Sequence, residues 1–203
     1  MACLAAGLLG VVSAFTPWWY TSTSSSGTSS VAYFYPGGSI YAGGGGGGGI
    51  TSYANYGLPS VGLLYAAAWV GAFVLAVTSW VVAGYAMGVS RGKWGSVPGR
   101  RTARTALLVA MVVGALLALA VPIAQPSLYR TDNPLGSCTS AAPPGPCASF
   151  WGTTHGGGTT TVWGAGLGWW LDLALVVLLL MALAVETSAG ALGPEPARGR
   201  DGA

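Results

Sequence analysis

The chain has 203 residues, of which 52% are hydrophobic and only 6% charged, with a formal net charge of +3. A water-soluble domain carries about a quarter charged residues, so this composition excludes an ordinary soluble fold and names lipid as the solvent. The positive charge has no extended basic face to neutralise phosphates, which excludes a nucleic-acid partner and leaves membrane lipids as the expected contact of the basic residues.

Residues 2–19 form the first expected helix. Its apolar part, Ala2 to Ala14, runs into Pro17, Trp18, Trp19 and Tyr20, and Trp and Tyr collect where a membrane meets water because a large apolar ring there carries a polar N–H or O–H. The alternative is a cleaved signal peptide with Val12, Ser13 and Ala14 as the processing site, although such peptides normally begin with positive charge. The segment is short for a crossing of about 20 residues, and a start codon placed too late would explain both features.

Residues 20–60 form a first outer loop rich in Ser, Thr, Gly and Tyr. Val31–Tyr35, Ser39–Ala42 and Ile50–Tyr56 are β-branched and aromatic and are bounded by turn residues, so they predict short strands of a small antiparallel sheet. The run Gly43–Gly49 reads as a flexible connection. It is no phosphate loop, because a strand-like ITSY follows it and not a helix with a Lys.

A second helix is expected over residues 61–89, with Gly84 and Gly88, and Ala67 and Gly71, at the spacing that lets helix backbones approach in lipid. The inner loop 90–104 follows and contains RGKWGSVPGRRTAR, which holds five of the eight Lys and Arg residues. By the positive-inside rule this loop lies in the cytoplasm and orients the chain. The third helix spans residues 105–124. Ala106, Ala110, Gly114 and Ala118 give it a face without bulk, predicted to lie against other helices, and Pro122 should kink or end it.

The second outer loop, residues 125–163, holds the single His and the pair Cys138 and Cys147, separated by the turn-rich TSAAPPGP. On the outer side of a membrane the expected state of this pair is a disulfide. Zinc binding with His155 lacks a fourth ligand, and the spacing matches no familiar zinc pattern. The fourth helix covers residues 164–186, and residues 187–203 read as a disordered cytoplasmic tail. One domain, residues 1–186, therefore contains everything ordered. The fold class is mainly α, a four-transmembrane-helix bundle with a small extracellular antiparallel β-sheet, multi-pass in the cell membrane with both termini cytoplasmic.

Asp172 is the one ionisable residue clearly within an expected span, about two to three turns from its outer end, and such a carboxylate faces either a protein interior or water. Two readings follow: a structural contact with Tyr, Trp or Ser of another helix or with Arg130, or proton or ion coupling. No catalytic residue set is legible. There is no CxxC, no HExxH and no carboxylate cluster, and Cys3 stands alone in an apolar segment, so neither an enzyme nor a cofactor or metal site is expected.

The PWW after the first helix and the WGAGLGWWL opening the last one carry a resemblance. With this order of helices and loops, the chain resembles a loose group of uncharacterised prokaryotic four-helix membrane proteins, and more distantly the claudin and peripheral-myelin-type architecture. The resemblance implies a left-handed four-helix bundle capped by an extracellular sheet. Claudins carry their disulfide and a GLW signature in the first outer loop, whereas here the cysteine pair lies in the second, so the resemblance transfers no functional residue. The expected role is a structural or interaction protein, presenting a strand-rich face to an envelope partner or to itself as a homo-oligomer. The alternative is a small transporter or channel, or an accessory subunit of one, using Asp172.

Overall fold

Apolar runs separated by Ser-, Thr- and Gly-rich stretches segregate into a helical bundle and a sheet seated on one end of it. The computed structural model describes residues 2–90, 97–133 and 145–191. In chain order the elements are α1 (Ala2–Phe15), β1 (Trp19–Ser25), β2 (Thr28–Phe34), β3 (Ser39–Gly44), β4 (Gly47–Ser52), α2 (Pro59–Ser90), α3 (Val97–Asp132), β5 (Gly152–Gly156), β6 (Thr159–Ala165) and α4 (Leu167–Ala191). Three of the helices contain stretches long and apolar enough to cross a membrane, Pro59–Gly88, Thr102–Asp132 and Leu167–Val185, while α1 is apolar but shorter.

Each helix packs on two others: α1 and α3 both lie against α2 and α4. Small residues set these contacts. A Cβ added at Gly10 would stand 3.0 Å from Leu175 of α4 and 3.1 Å from the Ala72 carbonyl oxygen of α2, so the backbones of α1 and α2 nearly touch there. The alanine and glycine face expected on α3 is buried as its pattern requires. Ala110 and Ala118 are inaccessible, and a Cβ at Gly114 would meet Val176 at 2.9 Å. Gly71 likewise makes room for Leu117, whereas Gly84 faces open space and joins no helix pair.

The sheet has the order β4-β3-β2-β1-β6-β5 and is antiparallel throughout. Alternation along the strands buries Trp19, Phe34, Ile40 and Trp163 against the bundle. The ends of the strands near these residues are therefore rooted, and the hairpin tips point away. Trp19 and Phe34 meet at a ring separation of 4.7 Å, Trp19 and Tyr129 at 5.9 Å, and Tyr53 stacks on Tyr65 at 5.7 Å, so an aromatic layer joins sheet to helices. A second, aliphatic core around Leu75, Leu107, Leu175 and Leu179 fills the bundle below it.

The structure departs from the sequence expectations in several places. Helix α3 already starts at Val97, inside the stretch expected as the inner loop 90–104, and α4 runs on to Ala191, past residue 187 where the disordered tail was expected to begin. The strand expected over Ile50–Tyr56 ends at Ser52. Trp19 and Tyr20 begin β1 and do not extend α1, because their backbones pair with Phe34 and Tyr33. Gly43–Gly49 is not a loose connection: it forms the ends of β3 and β4, with Gly45 and Gly46 as the turn. The Tyr41 ring lies across Gly43 and Gly48, so an aromatic side chain supplies the packing that these glycines lack. Trp163 and Gly164 belong to β6, and α4 starts only at Leu167. Finally, α3 passes through both Pro122 and Pro126 to Asp132.

That last extension has two local causes. Pro122 has no N–H for the carbonyl of Ala118, and the Trp169 indole donates to that oxygen instead, at 2.9 Å. At its end, the Asp132 carboxylate accepts the N–H groups of Ser60 and Val61, at 2.9 and 3.0 Å, and so caps the first turn of α2 from the neighbouring helix. Replacing Trp169 with Phe keeps an aromatic ring but strands the Ala118 carbonyl. A loss of about 1–3 kcal/mol is expected, read as a lower melting temperature in detergent.

Candidate functional site

Two places combine specific side chains with a geometry that composition alone does not require. The first is the joint where the sheet meets the bundle, and the second is the polar interior of the bundle.

At the joint, the two motifs singled out in the sequence, PWW and WGAGLG, come together. The Gly166 N–H donates to the Trp18 carbonyl at 2.8 Å, and the Gly168 N–H to the Pro17 carbonyl at 2.9 Å. Ser13 Oγ donates to the Gly168 carbonyl at 2.9 Å, and the Trp18 indole donates to the Ser13 carbonyl at 2.9 Å. Glycine is needed at both positions, since a Cβ at Gly166 would overlap the Pro17 carbonyl and one at Gly168 would overlap the Trp18 ring. The chain thus crosses itself with backbone against backbone, between α1–β1 and β6–α4. The Trp19 indole donates to the Phe150 carbonyl at 2.6 Å and ties in the segment before β5. The result is a sheet held firmly at its base.

Above the joint the sheet presents Ser, Thr, Gly and Tyr. On one face Tyr20, Tyr33, Tyr41 and Ile50 lie in one row across four strands, and Tyr33 stacks on Tyr41 at 6.3 Å. Next to the sheet, Tyr53 donates to the Tyr35 carbonyl at 3.0 Å, and burial pushes its phenol well above the ordinary tyrosine range. His155 is exposed on β5 and pairs with the Thr160 hydroxyl at 2.9 Å. Among the described residues, no three His, Cys, Asp or Glu side chains stand together. Cys147 is buried, and its carbonyl accepts a hydrogen bond from Arg130 at 3.2 Å. Its expected partner Cys138 lies outside the described residues, as do residues 91–96 of the inner loop and residues 192–203 of the tail.

In the interior, among the described residues, each helix contributes one fully buried polar side chain: Ser13, Ser79, Gln125 and Asp172. The sequence reading found Asp172 and missed Gln125, whose Oε1 accepts the Tyr65 hydroxyl at 2.7 Å while its Nε2 has no partner. A polar residue three positions after Pro122 was the available signal.

Asp172 is 0% exposed, and neither of its carboxylate oxygens has a hydrogen-bond partner. The contacts expected for it do not form: Arg130 reaches Cys147, and Ser13 is engaged with Gly168. Asp172 lies on α4 between Trp169, which reaches Ala118, and the pair Leu175 and Val176, which abut Gly10 and Gly114. The positions that these neighbours meet, Gly10 on α1 and Gly114 and Ala118 on α3, have no side-chain donor to give. An ionised carboxylate there would carry uncompensated charge in a low-dielectric interior, and even an uncharged carboxyl would hold unmet polar atoms.

Fold and site together define the class: a mainly helical protein with three helices fit to cross a membrane, a shorter fourth apolar helix, and a six-stranded antiparallel sheet. Compared with known proteins, the chain matches no family model, no curated protein and no solved structure.

Proposed function

We propose that this chain is a structural or interaction protein of the cell membrane, not an enzyme, which presents its sheet on the outer side to an envelope partner or to another copy. In this reading all four helices cross the bilayer in the manner of the claudin and peripheral-myelin-type architecture, and both termini lie with the basic loop in the cytoplasm. The observation that carries it is the sheet surface. Tyrosines in a row, surrounded by Ser, Thr and Gly and fixed at a rigid base, form the composition used by protein-binding surfaces, because Tyr supplies contact area at low entropic cost and small polar residues adapt around it. Extraction from native membranes in mild detergent, followed by affinity purification, should recover a stoichiometric partner or a homo-oligomer. A monodisperse monomer without partners would overturn the reading.

The outer side is oxidising in this topology, and Cys138 and Cys147 form a disulfide. Closing so short a loop stabilises by about 2–3 kcal/mol, so Cys138→Ser should lower the melting temperature, and reduction should bring the wild type to the same value.

A second reading is favoured by one observation, the unpartnered Asp172 carboxylate. Here the protein is a small transporter or channel, or a subunit of one, in which the carboxylate takes part in moving an ion. Flux across liposomes that is lost in Asp172→Asn, with assembly unchanged, would support this reading. Absence of flux in the wild type would remove it.

A further inference from the structure

The sheet has two open edges. Among the described residues no further strand pairs with β4 or with β5. Proteins usually guard such edges with charge, proline or a bulge, because a row of unpaired N–H and C=O groups is a template for another strand. β4 reads GGGITS and β5 reads GTTHG, with no Pro, Lys, Arg, Asp or Glu in either.

Strand direction decides which edge fits which. Six strands alternate in direction, so β4 runs toward the bundle and β5 runs away from it. Two copies standing side by side with the same orientation therefore set β4 of one antiparallel to β5 of the next, and the alternation continues across the junction. Pairing β4 with β4 antiparallel would instead point the two bundles in opposite directions. Width permits the continuous arrangement: six strands at about 4.8 Å repeat every ~29 Å, more than the ~20 Å across two packed helices.

The side chains match at the same height. The row Ile50, Tyr41, Tyr33, Tyr20 continues to Gly164 on β6. Trp151, one residue ahead of the Gly152–Trp163 pair, lies opposite Gly164, with its Cβ 3.4 Å from where a Cβ on that glycine would stand. The row thus ends at both edges in an exposed large hydrophobic residue, Ile50 at 77% and Trp151 at 56%. We propose that copies of this chain assemble laterally in one membrane by pairing β4 of one with β5 of the next, Ile50 packing on the neighbour's Trp151 position. Such a contact uses two different surfaces, so it propagates as a ring or a row and does not stop at a dimer.

The proposal rests on the reading of the sheet as an interaction surface and names its partner. The test is cysteine cross-linking in native membranes. The double variant Ile50→Cys with Trp151→Cys should, on oxidation, give a ladder of dimers, trimers and larger species that the wild type and either single variant lack. A double variant without a ladder, or a dimer formed equally by Ile50→Cys alone, would overturn the pairing. As a second measurement, Ile50→Lys on this exposed position should leave the melting temperature unchanged and abolish the higher assembly seen by light scattering; assembly of unchanged size would also overturn it. Recovery of a different stoichiometric protein without any ladder sinks this inference alone, whereas a lone monomer in mild detergent sinks the interaction reading with it.

Discussion

Replacing Gly166 with valine should prevent the folded protein from accumulating. A Cβ there overlaps the carbonyl group of Pro17, and that group is held by the hydrogen bond from Gly168 and by the neighbouring one from Gly166 to Trp18. The colliding atoms are backbone, so no rotamer change relieves them, and separating the two strands of chain breaks both bonds and lifts Trp18 and Trp19 out of the aromatic layer. Loss of a glycine with a close backbone approach belongs to the most damaging substitutions, above about 4 kcal/mol. The control is Gly84→Ala. That glycine also sits in an apolar stretch, but nothing lies within 4 Å of its would-be side chain. Alanine is the better helix former by up to about 1 kcal/mol, so this variant should match or exceed the wild type. Fluorescence-detected size exclusion after a heating series reads both. Equal melting of Gly166→Val and wild type would show that the joint does not hold the sheet.

The two glycines make different demands, and a sequence alone shows only that both are present. The same distinction explains what was legible in the chain. Apolar length identified the helices, since only hydrogen-bonded helix or closed sheet satisfies a backbone in lipid, and the strands of Tyr, Val and Ile next to turn residues announced a sheet. The six strands were not countable, because Ser and Gly interrupt the strand-forming Thr residues of β1, β5 and β6, and the β1–β6 pairing that joins the two outer segments into one sheet, such as Thr21 with Trp163, is long-range. Gly43–Gly49 looked like a linker for the same reason: its order comes from Tyr41 across the hairpin, not from its own side chains. The ends of α3 escaped because Pro122 is a helix breaker only until another group serves the carbonyl it leaves free, and Trp169 is 47 positions away in sequence. Asp172 was visible as a single acidic letter in an apolar run, but its lack of partners was not, since that depends on which faces of the helices packed on α4 meet it.

That lack of partners makes a quantitative demand on Asp172. If neither carboxylate oxygen receives a hydrogen bond, removing the group gives back its burial cost, which for a buried polar group without a partner is about 1–3 kcal/mol. Asp172→Ala leaves a void, which offsets part of the gain. The variant should therefore be more stable than the wild type by about 1–2 kcal/mol, read as a higher melting temperature in detergent. Asp172→Asn, of the same shape and equally unpartnered, should melt close to the wild type or slightly above it. A structural contact predicts the opposite order, with both variants destabilised and alanine the worse, because breaking a buried hydrogen-bonded carboxylate leaves its donors stranded. A stabilised alanine variant would therefore favour the proposed ion-moving reading of Asp172 over a structural one.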